Sequence, residues 1–204
     1  FTNAGLGLDE STMMIKGFSN EAAASGVSSS AAAGAAYQLS QALSTGIVRA
    51  QDWNSLAAAQ MGNQNMKDGL IAIAGAMGVL NEKSMTAEEI QNDFKGSLEN
   101  GWLTADVMSK YLQIMTGDMT DAEIAAIGLD EATVEMFKKQ AAMAVDSATK
   151  VRTFTQLIGG IKEQLGSGWV ETWELIFGNF NEATELWTGV NNVFSDFIIQ
   201  TNNA

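Results

Sequence analysis

An all-α fold is predicted from three features of the 204-residue sequence: proline is absent, helix-start patterns recur along it, and its last third repeats apolar residues at alternating spacings of three and four. Average usage would supply roughly ten prolines in a chain of this length. Their absence points to long uninterrupted helices, because proline ends or kinks a helix interior. No apolar/polar alternation marks a strand. Extended helical segments with a coiled-coil-like C-terminal helix are therefore expected.

Residues 1–34 read as a Gly/Ser/Ala-rich lead-in, for which a flexible linker and an Ala-rich helix are both open. Residues 35–100 read as short helices. The first carries Tyr37, Leu39 and Leu43 and ends at Gly46, and the second runs from about Trp53 to Met61, stopped by Gly62. The most apolar run follows at Leu70–Leu80. At 11 residues it falls short of the roughly 20 needed to cross a bilayer, so a buried helix is the main reading. A membrane-active segment built on Leu70, Ile71, Ile73, Met77, Val79 and Leu80 is the alternative, since small residues with Ile, Leu and Met also suit inserted helices.

Two capping boxes mark further helix starts, Thr86 with Glu89 and Thr120 with Glu123. In residues 101–147, Gly101-Trp102-Leu103-Thr104 reads as a turn, with Thr104 as N-cap of a helix through Tyr111 and Ile114 to Gly117. Residues 148–204 form the heptad-bearing segment. Val151, Phe154, Ile158, Ile161 and Leu165 make one stripe, which Gly166-Ser167-Gly168 interrupts. The seam then runs through Trp169, Trp173, Ile176, Phe180, Ala183, Trp187, Val190, Phe194 and Phe197, about four heptads of a coiled-coil pattern. With Trp173 at position a, the acidic residues Glu171, Glu174, Glu182, Glu185 and Asp196 all lie off the seam. Val170, Phe177, Leu186, Val193 and Ile198 widen the apolar face beyond a two-stranded seam. The width points to three or more helices in contact or to one helix docked in a groove of another protein, while periodicity alone favours an amphipathic helix packed on the chain's own domain.

Composition removes many functions. The net charge of −13 argues against a nucleic-acid surface, which needs clustered Lys and Arg. Without His or Cys there is no His general base, thiol nucleophile, disulfide or N/S zinc site. Asp118, Asp121 and Asp130 lack the ligand alternation and central Gly of an EF-hand. Gly5-Leu6-Gly7 lacks the rest of a phosphate-binding motif. Glu171 and Glu174 fit a solvated helix exterior, and Lys138, Lys139, Lys150 and Arg152 fit ordinary helix-surface charge. No catalytic residue, metal or cofactor is assigned. Much of the apolar content is Ala, which buries little area per residue, so a deep core is not assured. The chain begins at Phe1 with no recognisable signal peptide.

Six blocks in order resemble the tail tape measure proteins of long-tailed bacteriophages. They are Ala36–Leu43 with Gly46; Asp52–Leu56 with Met61-Gly62; Gly101–Thr104; Ala148–Leu157; Gly166–Trp169; and Thr172–Ile176 with Gly178-Asn179-Phe180. Family members often carry Asp where Asn179 stands and a Lys after it, so this copy departs in charge but keeps the aromatic frame. The resemblance implies a structural ruler in the tail-tube lumen of the virion, running as a helical bundle of about three copies and occupying the tail tip before genome ejection. It also implies self-association as a homotrimer, contacts with tail-tube and distal tail-tip proteins, assembly chaperones, and the host membrane at ejection, with no nucleic-acid binding. Because family members are generally much longer, the chain is expected to be a segment of one.

Overall fold

The computed structural model describes residues 8–27 and 29–150, and among these it is all-α. Ten α-helices follow in order: α1 Leu8–Ala24, α2 Ser29–Thr45, α3 Ala50–Ala58, α4 Gln64–Ala76, α5 Val79–Glu82, α6 Ala87–Asn92, α7 Phe94–Ser97, α8 Ala105–Met115, α9 Asp121–Ala125 and α10 Glu131–Lys150. A single 3-10 turn, Leu98–Asn100, follows α7.

The core is built around α8. Eight of its eleven residues are buried, including Val107, Met108, Tyr111, Leu112, Ile114 and Met115. A helix buried on nearly all sides must be covered by several neighbours, and α1, α10, α4 and α2 supply that cover. Each large apolar side chain removed from water there contributes about 1.5–3 kcal/mol. Methionine fills much of the remaining space: Met14, Met61, Met66, Met108 and Met115 are all buried. One continuous apolar cluster joins α1 to α10.

Two expectations need correction. The described residues are not extended segments: the longest helix, α10, has 20 residues, and the helices fold back onto a shared core. The inference from missing proline to long helices fails because glycine does the breaking. Gly46 ends α2 at φ +86°, and Gly78, at φ +79°, splits the apolar run into α4 and α5. Glycine adopts this left-handed region without the Cβ clash that other residues meet. The stretch read as a lead-in also holds all of α1 and the first six residues of α2. Met14, Ile15, Phe18 and Ala22 of α1 and Ala32 and Ala33 of α2 are buried in the core, so the Ala-rich helix is the reading that applies there.

Local signals place other boundaries well. Thr86 and Thr120 each accept a hydrogen bond from the N3 amide while Glu89 and Glu123 accept from the cap amides, completing both boxes. Thr104 caps α8 by accepting from the Val107 amide. The heptad seam from Trp169 to Phe197 lies outside the described residues, as does the 151–165 stripe.

Candidate functional site

Two places concentrate side chains of particular chemistry. The first is an aromatic node formed by α3, α7 and the turn before α8. Trp53 and Phe94 have ring centroids 4.6 Å apart, and Phe94 meets Trp102 edge-on at 5.5 Å. The Trp102 indole N–H donates to Ser97 Oγ at 3.0 Å, which satisfies its one polar atom inside the core. Gly62 passes so close beneath Trp53 that a Cβ would lie 2.8 Å from the ring. Backbone bonds tie the ends of α2 and α8 beside it: Val48 N–H donates to Leu103 O, and Ala105 N–H donates to Gly46 O. Lys67 Nζ stands 5.5 Å from the Phe94 centroid, a cation–π contact at the node's edge.

The second place is a buried carboxyl. Glu21 on α1 is only 5% exposed, yet no Lys or Arg among the described residues pairs with it. Its Oε2 accepts from the Tyr111 hydroxyl at 3.0 Å, and its Oε1 takes a longer contact from Asn63 Nδ2 at 3.4 Å. Burial pushes the Glu21 carboxyl above its ordinary value, against the two hydrogen bonds, which favour the charged form. The Tyr111 hydroxyl is pushed well above its usual value, first by burial and then by the neighbouring Glu21 charge. Tyr111 is fixed in turn by an edge-on contact with Phe137 of α10, and both rings crowd Gly69 of α4.

Just before Glu21 and one turn earlier on α1, polar groups clamp the C-terminal end of α8. Asn20 Nδ2 donates to the Met115 carbonyl at 2.9 Å, satisfying a helix-end acceptor that has no intrahelical partner. Lys16 pairs with Asp118 just beyond α8. Between them, Gly17 lies against the Leu112 carbonyl so tightly that a Cβ would fall 1.8 Å from that oxygen.

Comparison of the chain with family models, curated proteins and solved structures finds no match.

The residues singled out in sequence fall in different places. Leu70, Ile71, Ile73 and Leu80 are buried in the core, Met77 and Val79 are packed against it, and no helix among the described residues is long and apolar enough to cross a membrane. The three aspartates that lack an EF-hand pattern are separately engaged. Asp118 holds Lys16, Asp121 holds Lys138, and Asp130 accepts from the Thr133 amide, which lowers its pKa. Lys139 pairs with Glu135 one turn away. Glu21, Asn63 and Lys16 went unnoticed in sequence. The available signal was Glu21's position three residues after Phe18 and seven after Met14, which puts a carboxylate on the apolar stripe of α1. No nucleophile and base are aligned with each other at either place.

Proposed function

We propose that the chain is a segment of a tail tape measure protein of a long-tailed bacteriophage, a structural part of the virion that occupies the tail tip and lies in line with the tube lumen. The observation that carries this reading is the order of the six motif blocks. In its support, the three blocks that fall within the described residues lie close together: Gly46, Trp53, Met61-Gly62 and Gly101–Thr104 meet at or beside the aromatic node. A module defined by those blocks would keep them together for packing.

The helical body bears on how the work is divided. As one straight helix, residues 8–150 would reach roughly 215 Å, whereas a compact domain of that size has a radius of gyration of about 15 Å. The folded body thus suits a plug better than a measuring rod. Within this chain the ruler function falls to residues 148–204, roughly 85 Å at most as a helix. There the seam Trp169, Trp173, Ile176, Phe180, Ala183, Trp187, Val190, Phe194 and Phe197 would join three copies on the tail axis, with tail-tube and tail-tip proteins around them and assembly chaperones holding the apolar face beforehand. A membrane-active role for residues 70–80 would first require the core to open, since those side chains are already covered.

The test is tail length. Duplicating residues 169–196 in the phage gene should lengthen the tail by roughly 40 Å, the rise of the added helix, as measured on electron micrographs of many particles. Tails of unchanged length would overturn the ruler role.

A further inference from the structure

Glu21 is the one buried carboxylate of the described core, and nothing in the proposed role uses it. Its surroundings are specific. Tyr111 faces it from α8 and Asn63 from the cap of α4. The cations on the elements around it are directed elsewhere: Lys16 to Asp118, Lys138 to Asp121, Lys139 to Glu135, Lys110 to Gln113 and Lys67 over the Phe94 ring. α2 contributes no charged residue at all. The carboxylate, when ionised, therefore has two neutral donors and no countercharge, an arrangement in which a buried charge is poorly compensated.

The helix that carries it is suited to move as a unit. α1 packs mainly on α8 and α10, with little contact to α2, the element that follows it. It ends in a turn at Gly26, whose φ is +66°, with Val27 N–H returning to the Ala22 carbonyl. Besides Met14, Ile15, Phe18 and Ala22, its grip on α8 is polar and backbone-close, through Asn20, Lys16 and Gly17.

We propose that Glu21 makes α1 a pH-sensitive latch: with the carboxyl neutral α1 stays packed on α8 and α10, and ionisation of the carboxyl loosens α1 as a unit about the Gly26 turn. The sign follows from linkage. A carboxyl that holds its proton more tightly folded than unfolded stabilises the fold most at pH values below its unfolded pKa, and this contribution is lost as pH rises through the folded pKa. Opening would uncover the end of α8 around Leu112 and Met115, against which Gly17 and Asn20 of α1 now lie, and the face of α10 that α1 packs on.

The test uses the whole chain and its Glu21→Gln and Tyr111→Phe variants, melted between pH 4.5 and 8.5, with hydrogen exchange normalised for its intrinsic pH dependence. Glu21→Gln, which cannot ionise, should melt at nearly the wild-type temperature at pH 4.5 and about 2–4 °C above it at pH 8.5. In the wild type, protection should fall with rising pH in α1 before it falls in α3 or α7. Tyr111→Phe removes the stronger donor to the carboxylate and should steepen the wild-type decline, which keeps the proposal testable should the glutamine variant fold poorly. Melting curves for wild type and Glu21→Gln that stay parallel across the range, or exchange that rises equally in all helices, would overturn the latch.

Discussion

The aromatic node and the α1–α8 interface sit in one core but hold together differently. At the node, Trp53, Phe94 and Trp102 meet through rings, and the one buried donor, the Trp102 indole, has its acceptor five residues away. At the α1–α8 interface, the decisive contacts join residues about ninety or more positions apart and are largely polar: Asn20 on the Met115 carbonyl, Lys16 on Asp118, and Glu21 on Tyr111. Apolar contacts do not depend on protonation, whereas a buried carboxyl without a countercharge does. Most of the described core is therefore expected to be indifferent to pH, with the responsive element at α1.

Substitutions can separate the two regions. Trp102→Ala should have the largest effect, a loss of about 3–5 kcal/mol in urea unfolding, because a fully buried ring leaves a cavity and Ser97 Oγ loses the donor it accepts from, keeping only its bond to the Phe94 carbonyl. A loss below about 1 kcal/mol would mean that the node is not the core's anchor. Gly17→Ala should come next, at about 1–3 kcal/mol, since the added methyl meets the Leu112 carbonyl and α1 must shift to admit it. Its signature should be lost exchange protection in α1, with α3 and α7 still protected. The matching Gly62→Ala meets the Trp53 ring, which has more room to adjust than a backbone carbonyl, and should cost less than Gly17→Ala. The reverse order would show that α1 already accommodates movement at Gly17.

The same contrast explains how much could be read from sequence. Features set by neighbours a few residues apart were legible: the Thr86/Glu89 and Thr120/Glu123 boxes, the Thr104 cap, and the ends at Gly46 and Gly117. The apolar run was legible as buried, though not its division at Gly78. Trp53 and Trp102 stood out individually, but their union through Phe94 depends on a long-range fold that no local pattern encodes. α1 was obscured by Gly, Ser and Ala, and no local pattern pairs Glu21 with Tyr111, which lies ninety residues on. The inference from absent proline went too far because glycines, Gly78 within the apolar run among them, end helices as effectively as proline would. The capping acids give a further local check: Glu89 and Glu123 have carboxyls held below their ordinary value by the Thr86 and Thr120 amides. Their stabilisation is present above the unfolded pKa and lost as pH falls through the folded one, opposite in sign to Glu21.

The proposed structural role requires that copies of this chain join through the Trp169–Phe197 seam while the helical body folds independently of that joining. Sedimentation equilibrium of the whole chain, beside its Trp173→Glu variant, addresses this most directly. The expected result is a wild-type mass of three times the 21.7 kDa chain, and a single-chain mass for Trp173→Glu with the helical body melting at the same temperature. A wild-type chain that sediments as a monomer up to its solubility limit would contradict the claim.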